Sequence, residues 1–278
     1  MSVTIAEKRK TFRELHRSGC FVLPNAWDIG SARYLASLGF KAIASTSAGF
    51  AFSRGVADNA VGRDAVLQHL RELVSATDLP VNADFENGFA DEPDALAENV
   101  RLGVETGVAG LSIEDSTGNS SAPLYDLDRA VARIRAARSA IDKSGVDVML
   151  VGRAECFLVG KPDIAETIRR LKAYADAGAD CLYAPGIETH DEIKAILEAV
   201  APKPVNVLIS GPDELTIKEV AALGVRRVSV GGSLARAAWA GFVRAAKELA
   251  QNESFEGFTG ATPHGELNKF FRDFGQHA

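Results

Sequence analysis

Eight short apolar runs, each followed by a segment with helical spacing, constrain this chain more than any other feature. The runs fall at residues 21–24, 41–46, 81–84, 110–113, 146–151, 180–184, 204–209 and 227–230. Each is apolar along nearly its whole length, the pattern of a strand buried on both faces. Helix-period segments separate them: 31–38, 61–76, 94–105, 127–141, 162–177, 191–200, 216–223 and 233–250, after an amphipathic helix over 5–18. In 61–76, for instance, Val66, Leu70, Leu73 and Val74 share one face. Eight such units predict a (β/α)8 TIM barrel. A doubly wound open sheet usually has fewer strands, and no G-x-G-x-x-G follows the first run. The 278 residues contain no Pro/Gly/Ser-rich break, so residues 1–278 are expected to form one barrel domain with an N-terminal helix and a C-terminal helical extension. That extension, from 252 on, holds Phe255, Phe258, Phe270, Phe271 and Phe274; it is too aromatic for disorder and should pack on the barrel or on a neighbouring subunit.

A net charge of −6 gives no electrostatic reason to expect nucleic acid or an anionic membrane as partner. An anionic substrate would need a local cation against that background. Cys20, Cys156 and Cys181 have neither CxxC nor Cys/His spacing, so neither a disulfide framework nor a zinc site is suggested. Lys8, Arg9 and Lys10 are followed by no apolar run, so a signal peptide or membrane span is not expected and a cytoplasmic enzyme is. The histidines His16, His69, His190, His264 and His277 read as surface or cap residues, and no G-x-S-x-G elbow supports a serine triad.

In a barrel of this kind chemistry collects where strands end and loops begin at the C-terminal face. Asp84 and Glu86 close the third run two residues apart, a spacing that on a strand aims both carboxylates to one side. Ser112 and Glu114 close the fourth, and Arg153 follows the fifth. Oxygen-only ligands from neighbouring strands suit a hard cation such as Mg²⁺, so Asp84, Glu86 and Glu114 are the candidate metal ligands. Asp28 and Asp94 read instead as helix N-caps, and Asp115 as a partner of a neighbouring loop or helix. Arg153 ends an apolar run, where a guanidinium is costly unless paired; it either contacts substrate carboxylate or pairs with Glu114 or Glu155. Ser45, Thr46 and Ser47 offer successive N–H groups to an anion or form a plain turn, and Asn206 either donates its amide to substrate or holds a loop.

Taken in order, these residues resemble the isocitrate lyase / phosphoenolpyruvate mutase superfamily. The resemblance runs from about Phe21 to Ala237. It rests on Asn25-Ala26-Trp27-Asp28 with Ser31-Ala32-Arg33, Ala44-Ser45-Thr46-Ser47, Asp58, Val81-Asn82-Ala83-Asp84-Phe85-Glu86-Asn87-Gly88, Gly110-Leu111-Ser112-Ile113-Glu114-Asp115, Val151-Gly152-Arg153 and Gly224-Val225-Arg226-Arg227-Val228-Ser229. The resemblance implies a barrel that exchanges its last helix with a partner subunit, in a homo-oligomer that is commonly a tetramer, otherwise a dimer. It implies Mg²⁺ at Asp84, with Glu86 and Glu114 acting through waters and Asp58 in the outer shell. It implies a small anionic α-oxo acid held by the backbone around Ser45, Thr46 and Ser47, and an oxyanion met by Arg153. Members make or break C–C or P–C bonds beside an α-oxo acid through an enolate-type intermediate.

The departures bear on the reaction. The lyases carry a Lys-Lys/Arg-Cys-Gly-His stretch on the gating loop after the Glu-Asp pair; here residues 116–125 contain no Lys, Cys or His. Isocitrate or methylisocitrate cleavage is therefore not expected. Pro185-Gly186 stands where the lyases have a glutamate for a distal carboxylate, and the usual Asp-x-Asp is Asp84-x-Glu86. The expected function is a Mg²⁺-dependent lyase performing C–C cleavage, decarboxylation or hydrolysis on a small α-oxo or 2-hydroxy carboxylate. The alternatives are phosphonopyruvate or phosphoenolpyruvate chemistry, or an α-oxo acid binder with little turnover. Tyr125, Ser120 and a metal-bound water are equal candidates for moving the proton.

Overall fold

The structure is a computed structural model and describes residues 3–212 and 215–274. Nine parallel strands follow one another around a single sheet: β1 (Phe21–Leu23), β2 (Asn25–Ala26), β3 (Ile43–Ser45), β4 (Val81–Asp84), β5 (Gly110–Glu114), β6 (Met149–Arg153), β7 (Cys181–Tyr183), β8 (Val205–Leu208) and β9 (Arg227–Ser229). β1 pairs with β9 and β2 pairs with β3, so the two short strands are the halves of one barrel strand. The division falls at Pro24, which has no N–H to give the ladder but whose carbonyl still accepts from Ala44 at 2.9 Å. Counted that way, eight strands close on themselves as a (β/α)8 barrel.

The helices are α1 (Ile5–Leu15), α2 (Ile29–Ser37), α3 (Ser47–Ser53), α4 (Arg63–Ala76), α5 (Pro93–Glu105), α6 (Leu127–Lys143), α7 (Ile164–Asp176), α8 (His190–Val200), α9 (Ile217–Leu223), α10 (Ser233–Asn252) and α11 (His264–Phe274). One hydrophobic cluster, including Leu70, Leu96, Ile134 and Ile193, lies between sheet and helices. A second fills the barrel interior with Leu23, Ala44, Met149, Val151 and Tyr183, joined by Phe12 of α1. α1 thus closes the N-terminal end of the barrel. Its Lys8 donates to the Val74 and Thr77 carbonyls and its Arg9 to those of Val104 and Val108. Gly110 makes this plug possible, because a Cβ there would come within 2.7 Å of the Phe12 ring and 2.8 Å of Asn82 Oδ1.

Three local expectations are corrected. α3 follows directly on β3 where a loop was expected; Thr46 caps it through Gly49 N–H, and Gly49 packs so close to Trp27 that a Cβ would not fit. Asp94 lies inside the first turn of α5, whose N-cap is Glu92 followed by Pro93. His69 is buried and stacked on Phe50 at 3.9 Å, neither a surface nor a cap residue, whereas His16, buried between Phe12 and Phe21, is the C-cap of α1 as the cap reading allowed. Asp28 caps α2 as expected, accepting from Ser31 N–H at 2.6 Å. The C-terminal extension lies against the barrel through α2, with Tyr34 against Phe270 and Arg33 over the Phe274 ring; His277 lies outside the described residues.

Candidate active site

The C-terminal ends of β3 to β9 surround a cavity of about 170 Å³. Asp84, Ser47, Asp58 and Arg153 line it together with Tyr183, and Asn82, Asn206 and Arg227 also face it. Larger hollows exist beside α10, including one of about 1100 Å³ between α2, α10 and α11, but they are lined mainly by helix side chains away from the strand ends.

Asp84 ends β4, and both of its oxygens are engaged. Oδ2 accepts from Ser47 N–H at 2.9 Å, and Oδ1 stands 3.2 Å from Arg153 Nη1. The same Nη1 lies 3.2 Å from Glu114 Oε2, and Arg153 Nε donates to Glu155. Of the two roles the sequence left open, Arg153 takes the ion-pair one, with Glu114 and Glu155, and it also lines the cavity. Its guanidinium sits over the Tyr183 ring, 5.2 Å from the centroid.

Glu86 reaches the site by a different route from the one its spacing suggests. β4 stops at Asp84, and Glu86 takes a left-handed conformation with φ of 49°. Strand alternation no longer applies there; the turn, closed by Gly88 N–H on the Phe85 carbonyl at 2.8 Å, brings the carboxyl round beside Asp84. Gly88 itself has φ of 74°, which favours glycine. The turn is pinned from outside. Arg133 of α6, 1% exposed, donates to the carbonyls of Asn87, Ala90 and Asp91 and lies over the Tyr125 ring.

Burial pushes the Glu86 carboxyl up to about 8, with repulsion from Asp84 and Asp58 adding to it. Burial also holds Glu114 well above the usual carboxylate range, against the pull of Arg153. Asp58 is raised for the same first reason, although the residue itself is exposed at the rim, where its carboxyl meets the Ser47 hydroxyl. Crowded, poorly hydrated carboxylates favour either a proton or a cation. Among the described residues no three His, Cys, Asp or Glu side chains converge closely enough to cage an ion by themselves. The donor set is all oxygen and strongly acidic, which fits a hard divalent cation that keeps several waters.

The remaining candidates are placed as follows. Ser45 accepts from Asp84 N–H at 2.8 Å, and Thr46 Oγ1 is used as the α3 cap. Asn206 is fully buried; its oxygen accepts from Arg227 and its amide donates to Ser229 Oγ at 2.9 Å. Asp115 points away from the cavity to accept from Tyr174 at 2.5 Å and Arg170 at 2.9 Å, and it also holds Glu155 N–H. Tyr125 donates to Asp91, which leaves its hydroxyl engaged outside the cavity, while Ser120 is at the exposed tip of the 116–125 loop. That loop folds back on itself, with Ser116 bridged to Leu124. Burial raises the Cys156 thiol, so it is not an activated nucleophile. Asn82 and Arg227, which entered above only as part of the resemblance, also line the cavity without a role having been read for them.

A (β/α)8 barrel with acidic side chains and one arginine gathered at its C-terminal strand ends places the chain among barrel proteins whose polar site lies at that face. The model of the phosphoenolpyruvate phosphomutase family matches residues 12–250, and the chain belongs to that family, within the isocitrate lyase/phosphoenolpyruvate mutase superfamily. An uncharacterized protein of Mycobacterium tuberculosis strain H37Rv is 33% identical over 95% of this chain and 97% of its own length. An oxaloacetate decarboxylase of Pseudomonas entomophila is 29% identical over 79% of this chain and 77% of its own. Among solved structures, a Burkholderia cenocepacia protein provisionally described as a lyase/mutase superposes with a TM-score of 0.93 at 49% identity, covering 96% of this chain and 97% of that one. Oxaloacetate acetylhydrolase in complex with its product oxalate superposes with a TM-score of 0.85 at 25% identity, covering 97% and 95%. The chain is an enzyme of this lyase and mutase type.

Proposed function

We propose that the chain is a Mg²⁺-dependent lyase that cleaves, decarboxylates or hydrolyses a small α-oxo or 2-hydroxy carboxylate through an enolate. The observation that carries this reading is the meeting of Asp84 and Glu114 on one Arg153 nitrogen beside a cavity of about 170 Å³. That volume equals roughly six waters of bulk liquid, the scale of a very small acid. Bound there, Mg²⁺ would supply a Lewis acid for the α-oxo carboxylate. Asp84 would hold it directly, Glu86 and Glu114 would hold its waters, and Asp58 would act from the outer shell. Ser45, Thr46 and Ser47 would orient the substrate carboxylate, and Ser47 N–H, now given to Asp84, is the donor nearest that task. Arg153 would stabilise the developing oxyanion with a charge fixed in advance by Glu155.

The family description favours a second reading, phosphonopyruvate or phosphoenolpyruvate chemistry on the same enolate. The self-bridged 116–125 loop, with no Lys, Cys or His to move a proton, favours a third, a binder with little turnover. Calorimetry with oxalate in the presence and absence of Mg²⁺ tests the shared site: metal-dependent binding is expected, and its absence removes all three readings. A turnover panel of oxaloacetate, other 2-oxo acids, 2-alkylmalates, phosphonopyruvate and phosphoenolpyruvate then separates them. Release of pyruvate or another small acid from a C–C substrate is the expected result.

A further inference from the structure

His69 lies in α4, 4% exposed, with its ring stacked flat on Phe50 of α3. Burial pulls the imidazole down to about 4, so it offers its surroundings a hydrogen bond rather than a charge. Its Nε2 is buried and has no hydrogen-bond partner among the described residues. A buried polar atom left in that state is costly. His16 Nε2 is unpaired too, but that ring is packed by Phe12 and Phe21.

His69 instead borders a hollow of about 10 Å³ beside the metal carboxylates, room for the centre of a single water. Other polar side chains at the wall of this hollow already have partners. Asp84 is held by Ser47 N–H and Arg153, Ser45 Oγ accepts from Asp84 N–H, and Thr46 Oγ1 accepts from Gly49 N–H. The Ser47 hydroxyl meets Asp58. Two polar side chains there have no hydrogen bond among the described residues: His69 at Nε2, and Glu86. The Glu86 carboxyl is 8% exposed, and its neighbours act on it through charge alone. Its backbone is held in the left-handed region by the clamped turn, yet nothing fixes where the side chain points. One water between the ring nitrogen and the carboxylate satisfies both.

We propose that His69 is a positioning residue for the metal site: its Nε2–H donates to one water in the hollow, and that water donates to a Glu86 oxygen, leaving the other oxygen turned towards the waters of the metal. The proposal rests on the Mg²⁺ reading above and adds to it a residue of α4 that touches neither metal nor substrate. Partners of this kind fix the orientation of the group that does, and their loss typically costs about 10–100-fold in metal affinity.

The test is Mg²⁺ affinity at saturating oxalate, read by calorimetry beside the Tm of each variant. His69→Phe keeps a ring on Phe50 and removes the nitrogen; His69→Gln keeps an N–H near the place of Nε2 and removes the ring. His69→Phe should weaken Mg²⁺ binding by about tenfold or more, while its Tm stays at or above that of the wild type. His69→Gln should bind Mg²⁺ within about threefold of the wild type at a lower Tm. Affinity then follows the N–H and stability follows the ring, whereas a packing role would move the two together. In a Glu86→Gln background the His69→Phe loss should shrink to about twofold or less, because the carboxylate it positions is gone. That comparison decides alone should His69→Gln not fold, and His69→Leu replaces His69→Phe should the latter not fold. Unchanged Mg²⁺ affinity in His69→Phe, an equal loss in His69→Gln, or the same loss with and without the Glu86 carboxylate overturns the proposal. Failure of the wild type to bind Mg²⁺ and oxalate together is a different result; it removes the reading beneath, and the proposal with it.

Discussion

Arg153 sets the electrostatics of the cavity, and Asp84 is the carboxylate that meets both Arg153 and Ser47 N–H at its wall. Three carboxylates around one guanidinium leave an acidic surplus even before Glu86 and Asp58 are counted. Removing Asp84 should therefore abolish Mg²⁺-dependent oxalate binding in calorimetry, a loss of at least a hundredfold. Asp28→Ala should leave that binding largely intact. It removes only the α2 cap at a typical cost of about 1 kcal/mol, visible as a lower Tm. The converse pair of results would place the metal elsewhere. At this scale the sequence was informative wherever a charge interrupts or ends an apolar strand, as at Asp84, Glu114 and Arg153. It misled on how Glu86 arrives, because side-chain alternation holds only while the strand lasts. It was silent on Asn82 and on the partners of Asn206, since an amide within a strand carries no sign of what it will bond.

Among the elements, α1 shows how a short amphipathic helix becomes part of the barrel. Its Phe12 enters the interior, and His16 at its C-terminal end is buried with Nδ1 2.8 Å from the Phe12 carbonyl. Burial holds the His16 imidazole down to about 3, with Arg227 adding to the effect. A folded-state value below the unfolded one means that the neutral ring is preferred in the fold. Its contribution is complete above pH 6.5 and is lost as pH falls from there towards 3. The slope is about 1.4 kcal/mol per pH unit while only the unfolded chain takes up the proton. Subtracting one protein's stability from another's cancels the carboxylates common to both. His16→Phe should therefore gain on the wild type by roughly 2–3 kcal/mol between pH 6.5 and 4.5 in urea unfolding. A difference independent of pH would mean that the ring takes up its proton as readily in the fold as in the unfolded chain. The strand and helix order was legible because buried parallel strands are uniformly apolar. The break at Pro24 and the seven-residue α3 were not, since both depend on neighbours across the sheet or on Trp27.

For the whole molecule, α10 is the element that the single chain leaves unfinished. Of its residues only Ala235 is buried, while Trp239 is 41% exposed and Phe242 61% exposed, with Leu234, Val243 and Leu249 also bare. Beyond it, the 3-10 turn Glu256–Phe258 folds back on α10, with Gly257 against Ala245 and Glu248. Helices that close a barrel normally bury one apolar stripe, and large bare patches mark surfaces that meet other proteins. The cleft of about 1100 Å³ between α2, α10 and α11 is a complementary hollow on the same side. A second copy that inserts its α10 beside α2 would cover both surfaces at once, as expected for a homo-oligomer that exchanges its last helix. Light scattering after size exclusion should then give a dimer or tetramer at micromolar concentration. Phe242→Glu combined with Trp239→Glu should shift the mass towards the monomer and lower the Tm. The cavity at the strand ends lies apart from these side chains, so the direction of the mass change, not activity, is the diagnostic quantity. A wild-type monomer, or a variant whose mass does not change, would show that α10 closes on something other than its own kind.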